Sequence, residues 1–212
     1  MSYIIFEGID GSGKSTQAEM LNEYLVKKNI SSILTNEPGS RHLKFNLGNV
    51  LRDSKTDIDQ LTRECMFQAE RNEHFKKVIE PNHKKDVTVV SDRSFISGYA
   101  YARASGVDEK FMLFLLDKIV SVHPIFSFFI DLSPEEAFYR RTLRSSVVSY
   151  EEKKGNEFFE RVRTEFRAIF QKQTGLNSFL GSTHIMNGEK DRNEIHNEII
   201  TILKPFISEK MR

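Results

Sequence analysis

The stretch "YIIFEGIDGSGKSTQ", residues 3–17, restricts what this chain can fold into more than any other segment. A short apolar run ends in a glycine-rich turn and passes directly into a helical pattern. Gly8, Ile9, Asp10, Gly11, Ser12, Gly13, Lys14 and Ser15 fit G-x-x-x-x-G-K-[ST] at all four fixed positions, in the strand–turn–helix setting that the motif requires. Glycines there let successive backbone N–H groups point into one concavity, and the helix start adds its positive end. Such a loop holds the phosphates of a nucleoside triphosphate. Lys14 supplies a mobile charge, and Ser15 an oxygen for Mg²⁺. Glu7 and Asp10, flanking and inside the loop, are read as acids that serve a second ligand at the metal.

Short β-type runs alternate with longer helical patterns along the rest of the chain. Strands are expected at 3–6, 32–35, 87–91, 125–131 and 184–186. Helices are expected at 14–28, 41–51, 59–80, 96–120, 134–143, 152–174 and 191–206. Strands separated by amphipathic helices imply crossover connections and a parallel sheet covered on both faces. The strands read as near-continuous hydrophobic runs, as strands buried on both sides do. No repeat, low-complexity tract or Pro/Gly-rich linker divides the chain, so residues 1–212 are expected to form a single domain. In sheets of this kind, ligands bind beyond the carboxyl ends of the strands. Those ends carry "EGIDGSGKS", "TNEPGS", "SDRS" and "DLSPEE".

A net charge of +1 gives no overall preference for nucleic acid or anionic membrane, so an anion site has to come from local clustering. The single cysteine, Cys65, excludes an intramolecular disulfide and is expected to be a small buried hydrophobe of its helix. The apolar runs are strand-sized and no leader pattern is visible, which points to a cytoplasmic protein with neither membrane nor nucleic-acid partner. The six histidines show no metal-binding spacing and are expected at the surface or behind the site.

In "CMFQAERNEHF", Phe67 and Arg71 lie four apart on one helical face. The core stripe of that helix is read as Leu61, Cys65, Ala69, Phe75 and Ile79, with Phe67 and Arg71 beside it. An aromatic ring plus a guanidinium suits a nucleobase, by stacking and by an edge hydrogen bond. "VTVVSDRSFISGYAYA" ends a strand in Asp92-Arg93. There Arg93 can clamp a monophosphate bidentately while Asp92 orients metal-bound water. Ser97, Tyr101 and Arg103 of the next helix are expected at the same mouth.

"FEGIDGSGKST", "TNEPGS", "FQAER", "DRSFISGYAYA" and "FIDLSPEEAFYRR", in this order, resemble the thymidylate kinase family of bacterial type. The resemblance implies an α/β, three-layer P-loop kinase fold: a five-stranded parallel sheet flanked by helices, with a short lid at about 141–153. It implies transfer of the γ-phosphoryl group of Mg·ATP to dTMP, giving dTDP and ADP, by a homodimeric enzyme. The ATP site would comprise Gly8, Ile9, Asp10, Gly11, Ser12, Gly13, Lys14, Ser15, Thr16, Arg140 and Arg141. For dTMP the resemblance implies Asp10, Glu37, Arg52, Phe67, Arg71, Arg93, Ser97 and Tyr101. Lys14, Asp10, Asp92, Arg93 and Arg144 would be catalytic, and Ser15, Asp10 and Asp92 would hold Mg²⁺ directly or through water. The chain departs from the family at Asn36, where an arginine is common, and at Ala102, where a glutamine is common. Ser149 and Tyr150 replace the aspartate and arginine of the lid.

Arg140, Arg141 and Arg144 cluster at the end of one helix, where like charges repel unless an anion fills the gap. Arg161, Arg163 and Arg167, alternating with Glu157, Glu160 and Glu165, are read as a solvated, salt-bridged face. Two other readings remain open: a kinase for another pyrimidine nucleotide or nucleoside, and a non-catalytic nucleotide-binding protein. A panel of acceptors separates the first, and acceptor-dependent ADP release the second.

Overall fold

The computed structural model describes residues 3–40, 42–44, 47–52, 58–143 and 150–211, apart from the side chains at 49, 52, 151 and 152. Within these residues, β1 (Tyr3–Glu7), β2 (Ser32–Asn36), β3 (Thr88–Asp92), β4 (Phe126–Asp131) and β5 (Ser182–Asn187) form one sheet. Its order is β2-β3-β1-β4-β5 and every pairing is parallel. β1 is central and wholly buried, so its alternate residues feed two cores. Tyr3 and Ile5 meet one apolar cluster, Ile4 and Phe6 the other.

Helices α1 (Lys14–Lys27) and α9 (Arg192–Lys210) cover the second face through Leu21, Leu25, Ile199 and Leu203. On the first face lie α5 (Phe95–Ala104), α6 (Glu109–Ile119) and α8 (Gly155–Phe170), which supply Tyr99, Leu116 and Phe166. Each such fully buried side chain contributes about 1.5–3 kcal/mol of transfer free energy. Helices α2 (Gly48–Arg52), α3 (Gln60–His74), α4 (Glu80–Lys84) and α7 (Pro134–Thr142) complete the set. The outer strands β2 and β5 are only partly covered, unlike the continuous burial expected of every strand.

Several expected helices are subdivided. The segment 96–120 breaks into α5 and α6, because Gly106 takes φ +83° and Asp108 caps the new helix by accepting from Phe111 N at 2.8 Å. The segment 59–80 begins as expected at an Asp59 cap, but α3 widens into a π-turn over Phe75–Ile79 before α4. The widening falls where Pro81 has no N–H to return to Lys77. Of the described residues within 41–51, only Gly48–Leu51 are helical, and 42–44 are not. Ahead of α8 a 3₁₀ turn spans Glu151–Lys154, and past Phe170 the chain turns at Lys172 (φ +58°) rather than continuing to 174.

The expected stripe fails within α3 at Leu61, Cys65 and Ala69, while Phe75 and Ile79, in the π-turn beyond it, are fully buried as expected. Leu61 is 51% exposed, and Cys65 and Ala69 are exposed as well. The buried face carries Arg63, Glu64, Gln68, Glu70, Arg71 and His74. Apolar periodicity marks residues that share a face, but in α3 that inner face carries charged and polar side chains, of which Glu64 and Arg71 line the cleft.

Candidate active site

The loops after β1, β2 and β3 open at one rim of the sheet, as their parallel register requires. Gly11 makes the first of these loops possible. It adopts φ +93°, and a Cβ there would lie 2.3 Å from the Ala137 carbonyl oxygen, so the loop rests directly on α7. Gly13, at φ +96°, starts α1 without a side-chain cap, which leaves its first N–H groups open to an anion.

A cleft of about 290 Å³ runs along this rim. It brings together Asp10, Lys14 and Ser15 of the loop, Glu37 after β2, and Asp92 and Arg93 at the end of β3. Phe67 and Arg71 of α3 and Ser97 and Tyr101 of α5 line its far part. Gly8, Ile9 and Ser12 build the loop itself, and Thr16 lies in the first turn of α1. Arg52 ends α2, but its side chain lies outside the described residues, as do residues 144–149 of the proposed lid, Arg144 among them.

Arg93 is the centre of the charge arrangement. Its backbone takes φ +69°, a region that non-glycine residues rarely occupy. Two hydrogen bonds hold it there: Arg93 N donates to Phe6 O at 2.9 Å, and Ser91 Oγ donates to Arg93 O at 2.7 Å. The guanidinium then donates from Nη2 to Asp10 Oδ1 (2.7 Å) and from Nη1 to Ser97 Oγ (2.8 Å). Lys14 Nζ donates to the same Asp10 oxygen at 3.3 Å. Partial withdrawal from water would raise the Asp10 carboxyl, but Arg93 and Lys14 outweigh it and hold it well below the usual carboxylate range. Burial and the nearby Arg93 charge lower the Lys14 ammonium. Asp92 is different: its Oδ1 is buried with no hydrogen-bond partner among the described residues.

On the α3 side, Arg71 Nε donates to Glu37 Oε2 at 2.8 Å, and His74 Nδ1 lies 3.0 Å from Glu37 Oε1. His74 Nε2 in turn contacts Thr35 Oγ1 at 2.7 Å. Burial would raise the Glu37 carboxyl, but Arg71 and His74 hold it below its ordinary value. His74 is 1% exposed and stands behind the site, as one of the two placements expected of the histidines. Its spacing of three from Arg71 was the signal that links them on one face.

Other expectations are corrected. Glu7 is fully buried and does not reach the cleft; it accepts from Ser94 Oγ at 2.6 Å, Ser97 N at 3.3 Å and Ser97 Oγ, and so anchors the start of α5 to β1. Arg103 leaves the mouth and faces Glu165 at 3.9 Å. Arg163 and Arg167 cross to Asp131 at 2.6 and 2.7 Å, so that face of α8 is tied to β4 rather than merely solvated. Arg140 and Arg141 diverge: Arg140 is held by Glu136 (2.7 Å) and the Gly188 carbonyl (2.9 Å), whereas Arg141 Nη1 donates to the Asp10 carbonyl at 3.3 Å. Ala102 is buried in the core, away from the cleft, and Asn36 Nδ2 donates to Pro38 O at 3.1 Å. Sequence reasoning missed Arg63, which is fully buried, donates to the Leu51 carbonyl and lies 3.5 Å from the Tyr150 ring centroid.

Burial pushes the Glu7 carboxyl up from 4.5 to about 7. The folded protein keeps this proton up to about pH 7, while the unfolded chain releases it near 4.5. Its contribution to stability is therefore complete below 4.5 and is lost as pH rises through 7, by an amount of order 3 kcal/mol. Glu7→Gln is expected to lose that slope, so that it stands out in the wild-type-minus-variant difference in unfolding free energy. Equal slopes in both proteins between about pH 5 and 8 would contradict the assignment.

A triphosphate-type loop opening into an aromatic-lined cleft on one parallel sheet defines a P-loop nucleotide kinase. A family model described as thymidylate kinase matches residues 6–199. The thymidylate kinase of Ehrlichia canis is 35% identical over 207 residues, covering 95% of this chain and 98% of its own. That of Prosthecochloris aestuarii is 34% identical over 181 residues, 81% of each chain. The crystal structure of thymidylate kinase from Ehrlichia chaffeensis matches with a TM-score of 0.74 at 31% identity, covering 95% of this chain and 98% of that one. The chain belongs to the thymidylate kinase family.

Proposed function

We propose that this protein transfers the γ-phosphoryl group of ATP to dTMP in the cleft described above. The observation that carries this reading is the shared cleft itself: Lys14 and Ser15 at one end, Phe67 and Arg71 at the other, and Arg93 with Asp10 between them. The loop 8–15 would cradle the ATP phosphates, with Thr16, Arg140 and Arg141 completing the donor site. Phe67 would stack on the pyrimidine, Arg71 would donate to a ring carbonyl, and Ser97 and Tyr101 would border the base and sugar. Arg93 and Arg52 would hold the acceptor phosphate, with Glu37 setting the pose of Arg71.

Transfer needs no covalent enzyme intermediate. An acceptor phosphate oxygen forms the new bond to the γ-phosphorus, while the bond to the β–γ bridging oxygen breaks and its electrons leave with ADP. Lys14 and Arg93 are placed to balance the charge that spreads over the transferring group, and Arg144 is the proposed lid contribution. Excluding water is what separates transfer from hydrolysis, a task for the lid at about 141–153.

A divalent cation fits the residues present. No group of three His, Cys, Asp or Glu side chains gathers among the described residues. The unpartnered Asp92 Oδ1 and the exposed Ser15 hydroxyl are oxygen donors on one cleft, which suits Mg²⁺ that keeps waters and phosphate oxygens as its other ligands. When bound, it would neutralise charge on the β- and γ-phosphates. Asp10 is taken up by Arg93 and Lys14, and would act on the ion through water.

The whole chain would be one kinase domain working in the cytoplasm. Among the described residues no helix is long and apolar enough to cross a membrane. Exposed Leu61 on α3 and Phe114 on the neighbouring α6, at 51% and 62%, support a homodimer.

A coupled ADP-release assay with a panel of monophosphates, with and without Mg²⁺, tests the function. Turnover with dTMP far above the others is expected; slow hydrolysis indifferent to the acceptor would refute it. Phe67→Ala should raise KM for dTMP by roughly 10-fold or more, with KM for ATP within about twofold, given the worth of base stacking. Equal rises for both substrates would remove Phe67 from the acceptor site.

A further inference from the structure

Arg71 enters the cleft against a helical position that carries no side chain. Gly98 follows Ser97 in α5, and both line the cleft. A Cβ built on Gly98 would lie 2.5 Å from Arg71 Nη2, 2.7 Å from Nη1 and 2.9 Å from Cζ. The planar guanidinium therefore occupies the volume that any other residue at 98 would fill. Withdrawal is blocked from behind by the Glu37–His74–Thr35 chain, and Arg71, Glu37 and His74 are all buried. Arg71 Nη1 is itself buried with no hydrogen-bond partner among the described residues, so its N–H groups are left for a ligand.

Glycine is also a poor choice on local grounds. Gly98 sits inside α5 rather than at either end, where alanine would favour the helix. The gain that offsets this is the close approach of Arg71.

We propose that Gly98 is a specificity-determining residue of the acceptor pocket: its bare backbone seats the Arg71 guanidinium, and that seat fixes which edge of the base the Nη1 donor meets. The proposal rests on the reading of the Phe67–Arg71 pocket as the acceptor site. A donor fixed there favours a base presenting a carbonyl. A base presenting an amino group at the same point would face donor with donor and leave both unpaired.

The test is a double-mutant cycle of Gly98→Ala and Arg71→Ala, read by thermal unfolding without nucleotide and by kcat and KM. Alone, Gly98→Ala should lower Tm by about 3 °C or more. It should also raise KM for dTMP about 10-fold with KM for ATP nearly unchanged, and narrow the preference for dTMP over dCMP. In the Arg71→Ala background the clash is gone and only helix propensity remains. Gly98→Ala should then raise Tm and add nothing to KM. A Tm change of the same sign in both backgrounds, or additive KM effects, would defeat the proposal. Failure of the wild-type protein to phosphorylate any carbonyl-bearing monophosphate would instead overturn the acceptor reading, and the Tm cycle would still judge the seat.

Discussion

Lys14→Ala is expected to lower kcat by about 10³-fold or more, the scale on which preorganised charges act on phosphoryl transfer. Lys14 is 5% exposed, and its ammonium sits between the Asp10 carboxylate and the Ile9 carbonyl, at 3.3 and 3.4 Å. Among the described residues the other cations at Asp10 have their own anchors: Arg93 is forked between the Asp10 carboxylate and Ser97, and Arg141 bonds to the Asp10 carbonyl from α7. Burial lowers the Lys14 ammonium, so holding that charge costs the fold free energy. The variant should therefore keep its Tm while losing turnover. Steady-state kinetics with parallel melting curves decide the matter. Near-normal kcat would take Lys14 out of the mechanism, and a collapse of Tm would assign it a structural role instead.

Arg93→Ala carries the second large effect, a fall in kcat/KM for dTMP of about 10³-fold. The residue joins three elements at once, through Asp10 of the first loop and Ser97 and Tyr101 of α5, the last at 3.3 Å. Holding a non-glycine residue at φ +69° costs about 1–3 kcal/mol, and the bond donated to the Phe6 carbonyl and the one accepted from Ser91 Oγ maintain it. Alanine inherits that strain without the guanidinium. Arg93→Lys should recover only a small part of the activity, because one ammonium cannot donate in the same fork to Asp10 and Ser97. Full recovery with lysine would mean that only the charge matters, and the bidentate role would be abandoned.

The parts of the fold legible beforehand were those governed by local rules. The run from Tyr3 to Lys14 can only be strand, turn and helix, because glycine spacing and apolar continuity act within a few residues. The five strands likewise appeared within two residues of their expected ends. The break between α5 and α6 was written in Gly106 and Asp108, and passed over because the apolar pattern runs on across them.

Glu7 and α3 mark the limit. Glu7 beside a phosphate-type loop looks like a ligand for the metal, yet strand pleating turns it inward onto Ser94 and Ser97. In α3 the periodicity ranked Leu61, Cys65 and Ala69 as core, while the folded helix buries Arg63, Glu70, Arg71 and His74. Spacing along one chain established the class of loop, the parallel sheet and the residues sharing each helical face, since these depend on neighbours a turn or a pleat away. Which face looks inward, and that a missing side chain at Gly98 makes room for Arg71, depended on segments 27 residues apart in the chain meeting across the cleft. Contacts of that range are set by packing and burial, and no local pattern encodes them.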